Sequence, residues 1–140
     1  MSELAIPVYW DTSALLSALL EDAHTAEAQA WYGTEGVHLA SSLGAAELYA
    51  GFSRLGREGL EAQDLARATE NFRNGWIYTS VSPDPALLLE LSQRWPLRGA
   101  DLWHLGLAAT LREERADLVL LTFAENLRRA AEGEGLDARA

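Results

Sequence analysis

The sequence of 140 residues contains neither cysteine nor lysine, and all eleven of its Lys and Arg positions are arginine. Without cysteine the chain can form no disulfide framework, thiolate metal site or cysteine nucleophile. Without lysine it lacks the side chain that P-loop nucleotide binding and Schiff-base chemistry require. A net charge of −10 also disfavours binding of nucleic acid through bulk charge, so such an activity would need local arginine patches or metal ions.

Long apolar runs are also missing. The apolar segments 4–10 and 12–20 are separated by Asp11, and each is shorter than the roughly 18 residues that a membrane-spanning helix needs. The first basic residue is Arg54, so the start of the chain lacks the positively charged segment of a signal peptide. We therefore expect no membrane insertion and a cytoplasmic location.

The apolar pattern predicts strands that alternate with helices. Short apolar runs typical of strands occur at residues 6–10, 37–40, 76–81 and 118–122, with a short edge strand at 135–138. Apolar residues at helical spacing occur at residues 12–21, 23–32, 43–57, 61–74, 83–95, 100–111 and 125–132. This order predicts a single domain over residues 1–140, an α/β sandwich with a mostly parallel sheet.

Several polar residues coincide with the carboxyl ends of predicted strands, where parallel sheets bind ligands. Asp11 directly follows the first strand, and Thr122 ends a later one. Asp101 begins a helix that is apolar nearly all round, and Glu47 lies within an apolar helix. Two carboxylates about 4 Å apart repel by about 4 kcal/mol at an effective dielectric of about 20. A divalent cation such as Mg²⁺ or Mn²⁺, which takes oxygen ligands, would relieve that repulsion.

Each of these residues also has a purely structural interpretation. Asp11 and Asp101 could cap the helices that begin beside them, since aspartate is a preferred N-cap residue. Glu47 could lie on a solvated edge and pair with Arg54. His104, on the apolar helix, is better interpreted as a packed histidine than as a metal ligand.

Four segments carry a family resemblance. They are Val-Tyr-Trp-Asp-Thr-Ser-Ala at 8–14, Ala-Ala-Glu-Leu at 45–48, Gly-Ala-Asp-Leu-Trp-His-Leu-Gly-Leu-Ala at 99–108 and Leu-Leu-Thr-Phe at 120–123. In this order and spacing the chain resembles the PIN-domain family, most closely its VapC-type toxins, which are small ribonucleases paired with an antitoxin. The resemblance covers nearly the whole chain. It implies a three-layer α/β/α sandwich and metal-dependent cleavage of RNA.

The resemblance also implies roles for individual residues. Asp11, Glu47 and Asp101 would be the catalytic acids and would hold Mg²⁺ or Mn²⁺, with Ser13 and Thr122 as supporting hydroxyls. It further implies a single-stranded RNA substrate, a cognate antitoxin and a homodimer. Because the chain is acidic, arginines would have to steer the RNA, and the candidates are Arg54, Arg57, Arg112 and Arg115.

The chain departs from the family pattern after its last core strand, where the family usually has Thr-x-Asp. Here Thr122 is followed by Phe123 and Ala124, so the fourth acid is missing, and Glu125 could replace it only after a shift of the backbone. An alternative function is therefore a catalytically weakened PIN domain that binds RNA or a protein. A phosphatase or phospho-acceptor with Asp11 as nucleophile is disfavoured because lysine is absent. A Rossmann nucleotide binder is disfavoured because no glycine-rich loop follows the first strand.

Overall fold

A computed structural model describes residues 5–140. The strands are β1 (Ile6–Trp10), β2 (Gly36–Ala40), β3 (Ile77–Tyr78), β4 (Val119–Leu121) and β5 (Asp137–Arg139). The helices are α1 (Thr12–Leu19), α2 (Thr25–Tyr32), α3 (Ser42–Arg57), α4 (Ala62–Gly75), α5 (Pro85–Arg94), α6 (Gly99–Glu114) and α7 (Glu125–Gly133). Within residues 5–140, none of these helices has the length and apolar character needed to cross a membrane.

The five strands form one sheet in the order β3-β2-β1-β4-β5, and every neighbouring pair is parallel. The prediction of an α/β fold with a mostly parallel sheet is thereby confirmed. The chain builds outwards from β1 to β3, then crosses to the other side of β1 to add β4 and β5. The carboxyl ends of β1 and β4 therefore form the topological switch point, where open parallel sheets leave a crevice for ligands.

Helices cover both faces of the sheet, because strand side chains alternate between the two faces. Val8 and Trp10 belong to one buried cluster, which also contains residues of α1, α2, α3 and α4. Tyr9, between them, points to the other cluster, which is built from α5, α6 and α7. The three-layer arrangement is confirmed, and a sheet covered in this way needs the nearly continuous apolar strands seen here.

The predicted third strand is longer than the observed one. The strand itself contains only Ile77 and Tyr78, with one more hydrogen bond from the N–H of Thr79 to the carbonyl of Ala40 at 2.9 Å, whereas the sequence predicts a strand over 76–81. Trp76 instead ends α4 and packs edge-on against Trp10, with ring centroids 5.3 Å apart. Its apolar character therefore serves packing rather than strand pairing. Pro83 lies shortly after, and proline has no N–H to donate to a neighbouring strand.

Candidate active site

Asp11 lies at the switch point, directly after β1. Its backbone N–H donates to the carbonyl of Leu121, the last residue of β4, at 3.2 Å. Its side chain is only 2% exposed, and its Oδ1 accepts from the N–H of Ala14 at 2.9 Å, so it caps α1. The interpretation of Asp11 as a helix cap is thus correct, and the same carboxylate has further partners.

The two predicted supporting hydroxyls both bind Asp11. Ser13 Oγ donates to its Oδ1 at 2.7 Å, and Thr122 Oγ1 donates to its Oδ2 at 2.5 Å. These hydroxyls also accept from the backbone N–H groups of Phe123 and Ala124, both at 3.0 Å. They therefore tie the segment after β4 to the start of α1. A carboxylate has about four acceptor positions, so three are used and about one remains.

Burial is the main influence on the Asp11 carboxyl, and it raises the pKa above its ordinary value. The hydrogen bonds from Thr122, Ala14 and Ser13 and the charge of His104 act in the opposite direction. The charged form is thus costly to bury even with these donors. A cation near Asp11 would reduce that cost.

Glu47 lies on α3 and reaches the same region through Thr12, the residue after Asp11. Thr12 Oγ1 donates to Glu47 Oε1 at 2.6 Å, and Nε2 of His104 lies 3.2 Å from the same oxygen. The hydrogen bond with His104 is the largest influence on Glu47 and lowers the pKa of its carboxyl, against the effect of burial. The alternative pairing with Arg54 is wrong, because Arg54 pairs with Glu58, one helical turn away, at 3.8 Å.

His104 is packed in the core, as predicted, and contacts a candidate ligand. Its side chain is 2% exposed. Its Nδ1 lies 2.6 Å from the hydroxyl of Tyr9, which donates to Ser41 Oγ at 2.9 Å. Ser41 in turn caps α3 by accepting from the N–H of Gly44 at 3.0 Å. A buried polar network thus connects the cap of α3 with the Glu47 carboxylate on the same helix.

Asp101 lies in the first turn of α6, where it does not act as the cap. The N-cap position is Arg98, and no side chain caps this end of the helix. Burial of the half-buried Asp101 carboxyl is the main reason that its pKa is raised. The charge of Glu47 raises this pKa further, whereas His104 and Arg98 lower it. Asp101 and Glu47 are therefore close enough to repel each other.

A cavity of about 440 Å³ opens beside Asp101. Arg98, Ala124 and Asn126 line it together with Asp101, so the position that lacks the fourth acid faces the same space. Glu125 also lines the cavity, but its Oε1 pairs with two arginines of α7, Arg128 at 3.5 Å and Arg129 at 2.8 Å. Glu125 is thus engaged within its own helix.

The arginines expected to steer RNA have other contacts. Arg54 pairs with Glu58, Arg57 donates to Ser53, Arg112 donates to the carbonyl of Glu134, and Arg115 pairs with Asp117. Arg98 is the arginine in the wall of the cavity beside Asp101, and sequence reasoning missed it. Its position three residues before Asp101, on the same side of a helix start, was the available signal.

The donor set can be compared with the needs of a divalent cation. Within residues 5–140, no three acidic or histidine side chains are grouped closely enough to hold a metal ion by themselves. Mg²⁺, however, keeps several waters and is usually bound through one or two carboxylates and substrate phosphates. The partly exposed carboxylates of Glu47 and Asp101, and the remaining acceptor position of Asp11, are oxygen donors of the kind that such a water-rich ion takes.

A family model of the PIN domain matches residues 8–133. The chain therefore belongs to the PIN domain family, which confirms the resemblance seen in its four segments. The match spans all three candidate acids and both supporting hydroxyls. Among curated proteins, none matches this sequence.

Solved structures with the same fold share little sequence with this chain. PAE2754 from Pyrobaculum aerophilum is 18% identical, with a TM-score of 0.67, over 93% of this chain and 83% of that one. VapBC2 from Rickettsia felis, bound to a DNA fragment from their promoter, is 16% identical, with a TM-score of 0.65, over 96% and 98%. FitAcB from Neisseria gonorrhoeae is 15% identical, with a TM-score of 0.64, over 95% and 96%. At these identities the likeness shows the fold.

Proposed function

We propose that this PIN-domain protein is a metal-dependent endoribonuclease that cleaves single-stranded RNA and acts as the toxin of a toxin–antitoxin pair. The proposal is carried by the position of Asp11 directly after β1, beside Thr12, which donates to Glu47, and by the influence of the Glu47 charge on the Asp101 carboxyl. Family membership supports a nuclease, and the carboxylate oxygens suit Mg²⁺ or Mn²⁺.

Each part of the site would have a distinct task. Ser13 and Thr122 hold Asp11 in a fixed orientation through its two oxygens. Thr12 and His104 hold one oxygen of Glu47, which leaves the other available to the crevice. A bound Mg²⁺ or Mn²⁺ supplies a water of lowered pKa and stabilises negative charge on phosphate. Arg98, in the wall of the cavity beside Asp101, would bind a phosphate of the RNA.

A protein partner is also part of the proposal. VapBC2 from Rickettsia felis, which shares the fold over nearly its whole length, was solved bound to DNA from their promoter. By analogy, this chain would bind a cognate antitoxin whose basic side chains complement the net charge of −10. A homodimer is proposed from the family resemblance alone, and the protein would act in the cytoplasm.

The first experiment measures cleavage of single-stranded RNA with Mg²⁺, with Mn²⁺ and with EDTA. Asp11→Asn retains the shape and an acceptor for the Ala14 N–H but removes the charge, and we expect its rate to fall by at least about 100-fold. Asp64→Asn is the matched control, because Asp64 lies on the exposed side of α4 and pairs with Arg67. Cleavage that survives both EDTA and Asp11→Asn would show that the mechanism is wrong.

A second candidate function is a PIN domain that binds RNA or a protein without cleaving. Ala124 favours it, because a small apolar side chain stands in the cavity wall where the family usually has an acid. If purified protein binds Mn²⁺ and RNA but cleaves none of a mixed set of RNAs with any divalent metal, this second function replaces the first.

A further inference from the structure

We propose that His104 is a positioning residue that fixes the Glu47 carboxylate for metal binding while it touches neither metal nor RNA. This inference rests on the proposed function, since it gives Glu47 a metal to bind. The family resemblance assigns roles to acids and hydroxyls, and this histidine was expected only to pack.

The first support is that both ring nitrogens of His104 are engaged, on opposite sides. Nδ1 lies 2.6 Å from the Tyr9 hydroxyl, and Nε2 lies 3.2 Å from Glu47 Oε1 and 3.3 Å from Thr12 Oγ1. With only 2% of the side chain exposed, water has little access to replace these partners. A ring held at both nitrogens in a packed interior has one orientation.

The second support is the position of Tyr9, the residue whose hydroxyl contacts Nδ1 of His104. Tyr9, the next-to-last residue of β1, is fully buried and donates to Ser41, which caps α3. The network therefore begins and ends on α3, at its cap and at Glu47, and passes through β1 and α6 in between. It sets the position of Glu47 relative to the sheet edge that carries Asp11 and relative to Asp101.

The third support is that both hydrogen-bond partners of Glu47 contact the same carboxylate oxygen. Thr12 and His104 both contact Oε1, so the described contacts leave Oε2 for a ligand. The Glu47 side chain keeps 34% of its surface exposed, so without this hold it would sample several rotamers. Hydrogen bonds that orient a ligating side chain typically change metal affinity by about 10–100-fold.

The test compares three substitutions of His104 by titration calorimetry with Mn²⁺ alone. The side-chain nitrogen of Gln can take the place of Nε2, so His104→Gln keeps a donor to Glu47. The nitrogen of Asn takes the place of Nδ1, so His104→Asn keeps the Tyr9 contact and loses Glu47. His104→Leu loses both. We expect about 10-fold weaker Mn²⁺ binding for Asn and Leu, and a change within about 3-fold for Gln.

A fourth variant covers the case in which a substitution of this buried ring unfolds the protein. Tyr9→Phe keeps the packing and removes only the anchoring hydroxyl, and we expect a smaller loss of Mn²⁺ affinity, about 3-fold. Circular dichroism and melting curves would accompany each titration, so that a folding defect is separated from a loss of positioning.

The inference is overturned if folded Asn and Leu variants bind Mn²⁺ as the unsubstituted protein does, or if Gln loses as much affinity as Leu. It is also overturned if the unsubstituted protein binds no Mn²⁺, because Glu47 would then have no metal to bind. Mn²⁺ binding that depends on His104, in a protein that cleaves no RNA, would instead support the positioning role and reject the proposed nuclease.

Discussion

The candidate site has a closed part and an open part. In the closed part, Asp11 is almost fully buried and accepts three hydrogen bonds from the start of α1 and the end of β4. In the open part, Glu47 is one-third exposed, Asp101 is half-buried, and a cavity of about 440 Å³ lies beside Asp101. The closed part therefore joins the two central strands to a helix, and the open part keeps oxygens available to a ligand.

The difference shows how the fold can both fix one carboxylate in place and leave other carboxylate oxygens available to a cation. A fixed carboxylate needs donors, and each donor takes an acceptor position that a cation would otherwise use. The chain separates these demands by placing the fixed acid at the strand end and the available acids on α3 and α6, in opposite layers. The open part should therefore dominate metal binding, and the closed part should dominate stability.

The largest effect is expected from Asp101→Asn in the open part. In the unsubstituted protein, Mn²⁺ at about 100 times its dissociation constant should add about 2.7 kcal/mol to the free energy of unfolding. Asp101→Asn should remove most of this gain. It should also slightly raise the metal-free melting temperature, because the Asn side chain carries no charge to repel Glu47. Melting curves with and without Mn²⁺ measure both effects, and an intact gain in the variant would remove Asp101 from the metal site.

The closed part is tested by a matched pair of threonines. Thr122→Val leaves a buried Asp11 oxygen without its donor and should cost about 2 kcal/mol of unfolding free energy. Thr12→Val removes the donor to Glu47, where water can take its place, and should cost less than about 1 kcal/mol. Urea denaturation without metal gives both values. Equal losses would show that the two parts do not differ in the way we describe.

The apolar runs alone place Asp11 and Thr122 of the closed part at strand ends, and the family resemblance adds Ser13. Asp11, Ser13 and Thr122 meet because consecutive residues and two strand ends determine their positions, and strand ends can be located from apolar runs. The contacts of Glu47 with His104 join residues 57 positions apart on helices of opposite layers. Their meeting depends on how those helices are rotated and shifted, which hydrophobic spacing leaves open.

The prediction of Asp101 as a helix cap was wrong, and both it and the choice of arginines as RNA-binding residues depend on details of position that hydrophobic spacing does not give. Asp101 is a candidate helix cap from sequence because aspartate at a helix start is often the cap, but α6 begins at Gly99, so Asp101 lies inside its first turn and Arg98 holds the cap position. The sequence does not show which partners hold the arginines proposed to steer RNA. Several of them are held by nearby acids or carbonyls. Fold class needs only the order of elements, so it was predicted correctly.

The pH dependence of stability should have opposite signs for Asp11 and Glu47, while Asp101, whose pKa is also raised, should act in the same direction as Asp11. The pKa of Asp11 is raised in the folded state, so the folded protein binds more protons above pH 3.8, and stability should fall as pH rises through this window. The pKa of Glu47 is lowered, so its contribution is present above pH 4.5 and is lost as pH falls through its folded pKa. Asp11→Asn should flatten the first trend, and Glu47→Gln the second.

Melting temperatures between pH 2.5 and 8 in metal-free buffer measure these slopes. Asp64→Asn, on the exposed face of α4, is the control and should leave both slopes unchanged. The Asp11 effect should be the larger of the two, because that carboxyl is nearly fully buried and the Glu47 carboxyl is partly screened by water. Slopes of the same sign for Asp11 and Glu47 would contradict the opposite pKa shifts assigned to these two carboxyls.

The smallest effect is expected at Ala124, where the open part lacks an acid. Ala124 is the N-cap of α7, with extended backbone (φ −83°, ψ 110°) and no side chain capping the helix. Either Asp or Asn should cap α7 and add up to about 1 kcal/mol of stability. Ala124→Asn is therefore the matched control for Ala124→Asp, since the two differ in charge and hardly in shape.

The added charge should have opposite effects without and with metal. Without metal, an aspartate at position 124 would line the same cavity as Asp101 and add a like charge there, so Ala124→Asp should melt below Ala124→Asn. With Mn²⁺, the added carboxylate should tighten binding about 3-fold relative to the Asn variant and raise RNA cleavage at limiting metal. If both variants bind Mn²⁺ equally, position 124 does not reach the metal. The loss of the fourth acid would then have left the metal affinity of this PIN domain unchanged.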